Sequence, residues 1–407
     1  MRNSNIIKKP ELLAPAGNLE KLKYAIHYGA DAVYIGGRNY SLRANNDNFT
    51  ISEIKEACLY AHKHNARVYV TVNIIFHSED VEGLKEYLID LEQCGVDAVI
   101  VSDPLVIELL KEIDSKMEIH ISTQQSTLNY EAASFWKDEG VTRIVLAREA
   151  SGTDIKEIID KTGIETEIFI HGAMCSGFSG RCVLSNHLTA RDSNRGGCSQ
   201  ICRWNFTLRD DEELDVSDDS NYAIAPKDLS MLKYIPSLID IGVRSFKIEG
   251  RMRSIYYIAT MLHTYRKVID EYCNNKDGYE YNKNYEKILF RCANRDAVPQ
   301  FFEHRAGFDE QYYTGREEVS NQDFLGIVLD YDEEAQEVVI EQRNFFKVGD
   351  EAEIFGPNID THFFKIEYIK DNKGNLIDAA RHPKQVVRLP INKKVEKYDL
   401  MRIKLIG

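Results

Sequence analysis

Along the first 275 residues, apolar and polar positions follow two rhythms. Stretches such as NLEKLKYAIHYG, DVEGLKEYLIDLEQCG and SIYYIATMLHTYRKVIDEYC set apolar residues three and four apart, the spacing of one helix face. Where such a stretch ends in glycine, a short apolar run follows: GADAVYIGG (29–37), GVDAVIVSD (95–103), GVTRIVLARE (140–149), GIETEIFIHG (163–172) and GVRSFKIEG (242–250). Glycine ends a helix there because no side chain obstructs positive φ. The runs are β-branched and nearly continuous, as strands covered on both faces must be. ELLAPAG (11–17), ARVYVTVNII (66–75) and MEIHISTQQS (117–126) extend the series to eight. Eight βα units predict a (β/α)₈ TIM-like barrel over residues 1–275. A doubly wound sheet is the alternative, but PAGN after the first strand is not the GxGxxG that a dinucleotide fold places there.

One connection is too long for a tight βα turn. More than fifty residues, at about 171–225, separate strand seven from the helix expected near Asp228. Loops of that length are usually functional, and a loop after a barrel strand opens on the face where active sites sit. Past Cys273 the periodicity fails, and 276–320 reads as a linker wrapping the barrel. Six short alternating runs then appear: FLGIVLDY, EVVIEQ, AEIFG, FFKIEYI, QVVRL and DLMRIKLI. Separated by turns such as VGDE and DNKGN, they predict a small antiparallel β-barrel at 321–407.

Charge adds a constraint. A formal net charge of −14 argues against global attraction to nucleic acid. It is unevenly spread: Asp210 to Asp219 holds seven carboxylates, whereas residues 361–407 sum to +6. Lys384, Arg388, Lys393 and Lys394 are therefore the candidates for phosphate contact, in binding that should weaken steeply with salt. No apolar run approaches the ~20 residues that cross a bilayer, and the N-terminus lacks a signal-like apolar region. A cytoplasmic protein without membrane association is the expectation. Its eight cysteines are then reduced, and serve as ligands, reactive groups or small hydrophobes rather than disulfides.

Four of them, Cys175, Cys182, Cys198 and Cys202, form C-x6-C-x15-C-x3-C inside the long excursion. Thiols this dense, among glycine and serine, are hard to ascribe to packing. Zinc prefers tighter pairs, so the spacing favours a [4Fe–4S] cluster. Arg181, Arg191, Arg195 and Arg203 would offset its negative charge. Polar residues also stand where apolar strands end. His120, Arg148, Glu167, His171, Lys247 and Glu249 are the candidate catalytic groups, with Arg43, Asn73, Gln124 and Arg251 as candidate substrate contacts. Arg148, Lys247 and Arg251 suit an anionic substrate, because guanidinium binds carboxylate or phosphate bidentately. HExxH and GxSxG are absent. His171 and His187 lie near Cys175 and Cys182 in sequence, which keeps a thiol peptidase as the alternative.

HGAMCSGFSGRCVLSNH resembles the signature of the collagenase-like peptidase family U thirty-two. ELLAPAGNLEKLKYAIHYGADAVYIGG, RNYSLRANNDNF, APKDLSML, FKIEGRMRSIYYI and RNFFKVGDEAEIFGP resemble that family as well. The resemblance implies a cluster on the four cysteines, matched to Cys175, Cys182, Cys198 and Cys202, the last ligand varying between branches. It also implies anaerobic hydroxylation of RNA bases or of a quinone precursor. The two-domain form is most similar to the tRNA branch, which converts a wobble uridine to 5-hydroxyuridine and depends on prephenate. Members of that branch also occur as paired paralogues, so a paralogous partner is implied. A non-catalytic cluster-bearing subunit is a further alternative.

Overall fold

The computed structural model describes residues 8–42, 48–207, 221–312 and 322–405. Eight parallel strands form the first domain: β1 (Glu11–Pro15), β2 (Ala32–Gly36), β3 (Arg67–Val72), β4 (Ala98–Val101), β5 (Glu118–Ile121), β6 (Arg143–Val145), β7 (Glu165–Gly172) and β8 (Ser245–Ile248). Each pairs with the next, and β8 pairs with both β7 and β1, so the sheet closes into a barrel. Helices α1 (Leu19–His27), α2 (Ile51–Lys63), α3 (Leu84–Gln93), α4 (Pro104–Glu112), α5 (Tyr130–Asp138), α6 (Gly152–Thr162), α7 (Ile235–Ile241) and α8 (Ile255–Asn274) follow the strands in turn. Local chemistry starts and stops them. Thr50 with Glu53, and Ser151 with Asp154, form reciprocal capping boxes on α2 and α6. Gly163, at φ 64°, ends α6 in the left-handed conformation that the sequence pattern requires.

The barrel's lower half is ionic rather than apolar. Arg143, 1% exposed, points inward from the start of β6, with Glu11 at 2.6 Å, Glu165 at 2.9 Å and Glu167 at 3.4 Å. Tyr69 and Ser245 donate to Glu11 at 2.6 and 2.7 Å, and Lys247 donates to Glu167 at 2.7 Å. Burial disfavours the Glu167 carboxylate, but Lys247 and Arg143 overcome it and hold its pKa below the usual range.

The region expected as a plain linker contains a helix, α9 (Asn284–Ala293), packed on α8. Its apolar positions Leu289 and Ala293 are buried, yet the surrounding tyrosines, asparagines and charges mask the period in the sequence. The second domain is an antiparallel sheet of eight strands. Its main strands are β9 (Phe324–Asp332), β10 (Glu337–Gln342), β11 (Glu351–Gly356), β12 (Ile359–Lys365), β13 (Val386–Pro390) and β14 (Leu400–Ile403). The order is β12-β11-β14-β9-β10-β13, followed by Ile369–Lys370 and Leu376–Ile377. Among the described residues its two edge strands do not pair with each other. Ile354 near one end of the order and Ile369 near the other share a single apolar core.

This domain docks on the barrel's outer helices. The Tyr28 hydroxyl lies 3.2 Å from the carbonyl oxygens of both Phe355 and Tyr398, and the Tyr256 ring stacks on Phe324 at 5.0 Å. Ile327, Phe355 and Leu400 belong to the barrel's own apolar cluster.

Removing one member of a buried ionic group strands the others. Arg143→Met should therefore destabilise the protein by roughly 3–5 kcal/mol in urea unfolding. Lys156→Ala, which breaks only the exposed pair with Asp160, should leave the midpoint essentially unchanged.

Candidate active site

The cysteine loop lies over the C-terminal mouth of the barrel, held by bonds to three strand-end loops. Glu149, after β6, accepts from the Ser179 amide at 3.3 Å and its hydroxyl at 3.2 Å. After β5, Ser126 donates to the Ser179 carbonyl and accepts from Arg181 Nε at 3.3 Å. Gly180, at φ 77°, presses on the Gln124 backbone so closely that a Cβ there would meet its carbonyl oxygen at 2.2 Å. After β3, Ile75 accepts from Arg195 at 2.7 Å, and Asp80 forms a two-point ion pair with the same guanidinium.

All four loop thiols are free. Cys202 lies within electrostatic reach of Cys175, Cys182 and Cys198, and Cys175 within reach of Cys182 and Cys198. Cys175 is open to solvent yet surrounded by protein mass, as an atom on the floor of a concavity is. That surrounding pushes its pKa up, opposed by Arg148. Burial likewise raises Cys202, opposed by Arg203. Among the described residues, no three His, Cys, Asp or Glu side chains are arranged to hold a single metal ion. The other four cysteines lie apart from this loop, on α2 (Cys58), at the end of α3 (Cys94), on α8 (Cys273) and on α9 (Cys292).

Beside the thiols stands Arg148. Its guanidinium covers the Phe169 ring at 3.8 Å, and no carboxylate pairs with it among the described residues. Lys247 Nζ approaches the same ring at 5.5 Å and the Tyr34 ring at 4.4 Å. Arg148 is felt electrostatically at both Lys247 and Cys175, so it bridges the barrel interior and the thiol loop. The floor is thus a cation and two aromatic rings over an ionised Glu167–Lys247 pair. Phe169, Tyr34 and Ser179 had no distinguishing mark in the sequence beyond their place at or after a strand end.

Several candidates lie elsewhere than expected. His120 and Glu167, both 0% exposed, sit inside the barrel rather than on its rim. His120 stands opposite Arg143 at the very start of β6, and its ring meets the edge of Tyr69 at 4.8 Å. Lys247 is neutralised by Glu167, which removes it from the set of cations available to a substrate. Arg251 is a clamp: it donates to the Leu42 carbonyl at 2.7 Å, to Asn48 at 3.1 Å and to Ser41 at 3.1 Å, fixing the loop after β2. Asn73 joins the loops after β3 and β5 by donating to Ser122 at 3.1 Å. Gln124 keeps its place at the mouth against Gly180. Glu249 packs against Gly172, and its backbone carbonyl accepts from Tyr257 at 3.2 Å. Arg43 lies outside the described residues.

His171 is the clearest correction. At the top of β7 the register with β8 slips, so that Lys247 faces Phe169 but Ile248 faces His171. This bulge turns His171 out of the mouth and under α8. Its Nδ1 lies 3.1 Å from the Tyr265 hydroxyl, which itself donates to the Ile170 carbonyl, and its buried Nε2 has no partner. Burial lowers its pKa to about 3.

Two of the four C-terminal candidates are ion-paired. Arg388 pairs with Asp332 at 3.3 Å and Glu337 at 3.8 Å, and Lys394 with Glu333 at 3.4 Å. Lys393 donates to the Asp360 carbonyl at 3.5 Å, and neither it nor Lys384 forms an ion pair among the described residues. The cause is topological: β13 lies against β10, bringing the basic segment onto the acidic hairpin before it. Arg195 and Arg203 are likewise drawn to Asp80 and to Asp228, the latter at 3.7 Å.

A (β/α)₈ barrel roofed by a loop of free thiols, with an antiparallel sheet domain docked outside it, defines the class of protein. The chain belongs to Peptidase family U32, whose model matches residues 17–312; the model of that family's C-terminal domain matches 320–402. It is similar to tRNA hydroxylation protein P1 of Bacillus subtilis, at 51% identity over 402 residues, covering 98% of this chain and 95% of that protein. A 23S rRNA 5-hydroxycytidine synthase of Escherichia coli is 42% identical over 260 residues, 64% of this chain and 39% of that protein. A collagenase of Porphyromonas gingivalis is 30% identical over 413 residues, 96% of each. No helix among the described residues is long and apolar enough to cross a membrane.

Two histidines set a pH dependence. The buried His171 and the half-buried His263 on α8, each with a pKa lowered to about 3 by loss of solvent, stay neutral in the fold while the unfolded chain protonates below ~6.5. Their contribution is complete above pH ~6.5 and is lost as pH falls toward 3, by up to about 1.4 kcal/mol per pH unit each. Urea unfolding between pH 7 and 4.5 should show this slope, reduced in His171→Gln.

Proposed function

We propose that this protein is an iron–sulfur tRNA-modifying enzyme that hydroxylates the wobble uridine to 5-hydroxyuridine, with prephenate as an anionic co-substrate. The observation that carries the reading is the thiol group at the barrel mouth in a chain matched along 98% of its length by a tRNA hydroxylation protein. The rRNA synthase among the relatives supports the same chemistry, RNA-base hydroxylation.

The four thiols fit a [4Fe–4S] cluster. All four are free, and Cys175 and Cys202 each lie within electrostatic reach of the other loop thiols. A cluster takes one ligand at each of four irons, so its four thiolates need not converge on a single ion. When bound, such a cluster supplies one-electron chemistry. The chain's own groups do the rest. Arg148, unpaired and stacked on Phe169, is positioned to hold a carboxylate at the mouth. A thiol peptidase is the weaker reading, because His171 faces α8 and not the thiols.

Alanine at Cys175, Cys182, Cys198 or Cys202 should abolish iron and sulfide loading of anaerobically purified protein, whereas Cys58→Ala, on α2, should load normally. Mass analysis of tRNA nucleosides from cells lacking the gene should show loss of 5-hydroxyuridine, restored by the wild-type gene and not by Cys198→Ala. Unchanged 5-hydroxyuridine in the deletion strain would reject the assignment unless a paralogue substitutes. Arg148→Met should weaken prephenate binding by roughly 10- to 100-fold, the worth of a charge-assisted contact, in calorimetry on protein with a normal iron content.

A further inference from the structure

The cysteine loop carries a surface that cluster ligation does not explain. Phe178, Val183, Leu188 and Trp204 are each about half exposed on it, and Met252, beyond β8, is exposed as well. A loop pressed onto a barrel by so many hydrogen bonds had the means to bury these rings and leaves them in water. Interleaved with them are Arg181 and Arg191, which pair with no carboxylate among the described residues. An exposed apolar patch alone marks a protein interface. Exposed rings and guanidinium groups without a carboxylate, carried on one loop of a chain of net charge −14, mark a different partner. Unpaired RNA offers π-faces for the rings and phosphates for the cations; a duplex hides its bases and has no use for the rings.

We propose that Phe178 and Trp204, with Arg181 and Arg191, form the platform that grips a single-stranded RNA loop over the barrel mouth. The proposal rests on the RNA-modifying reading above and locates its substrate contact on the cysteine loop, away from the C-terminal basic stretch. Phe178 follows Cys175 by three residues and Trp204 follows Cys202 by two. Three residues of chain reach at most ~11 Å, so a base stacked on either ring lies beside the thiols. The rings hold bases sequence-tolerantly, and the guanidinium groups fix the backbone.

The test uses anaerobically purified, iron-loaded full-length protein and two labelled RNAs: a stem-loop with an unpaired loop, and a fully paired duplex of equal length. Anisotropy should show tighter binding of the stem-loop. Phe178→Ala and Trp204→Ala should each weaken it about five- to a hundred-fold at unchanged iron content. Arg181→Gln and Arg191→Gln should each reduce the slope of log affinity against log salt by roughly one. Leu59→Ala, an exposed apolar residue on α2, should change nothing. The chain has two tryptophans. In a Trp136→Phe background, Trp204 emission should therefore be quenched by the stem-loop and not by the duplex. Equal binding of the two RNAs, or wild-type affinity in both ring variants, overturns the platform while leaving the RNA reading in place. If the ring variants instead lose self-association in sedimentation, the patch is a protein interface. If the wild-type protein binds neither RNA, the RNA reading itself falls and takes the platform with it.

Discussion

The fold depends on how Arg143 is held. A guanidinium that is 1% exposed inside a barrel is costly unless carboxylates stand beside it in fixed places. Glu11, Glu165 and Glu167 provide them, from the first and seventh strands, while Lys247 on the eighth completes the balance at Glu167. The network therefore crosses the seam where the barrel closes. It ties strands that are distant in sequence, and fills the lower half with groups that are costly to rearrange. Chemistry is left to the upper half, where Arg148, Phe169 and the thiol loop meet.

The same sharing of space explains why the strand-end polar residues divide into separate roles. Those near strand starts or mid-strand, His120 and Glu167, belong to the interior. Those just beyond the strands, Asn73 and Arg251, knit loops together. Arg148 stands at the mouth and has no carboxylate partner among the described residues.

The barrel was legible because its signals repeat: a helix face, a glycine cap, a buried strand, eight times over. The thiol loop was legible because spacing and composition coincide in one excursion. His171 was not, because a single-residue slip in the pairing of β7 with β8 reverses which side of the sheet a residue faces, and nothing in GIETEIFIHG records that slip. Helix α9 was hidden by its polar surround. The ion pairs of Arg388 and Lys394 were hidden for a related reason: charge summed along the chain ignores that β13 folds back on an acidic neighbour.

The bonds that fasten the roof have a consequence for how an inorganic centre would be installed. Glu149 to Ser179, Arg195 to Asp80 and Ser126 to Ser179 all run between protein groups, and none passes through a sulfur atom. A centre held by the loop would thus meet fastenings that do not depend on it. Removing the sulfur ligands one at a time should accordingly leave the roof in place, because its anchors are carboxylates, hydroxyls and carbonyls.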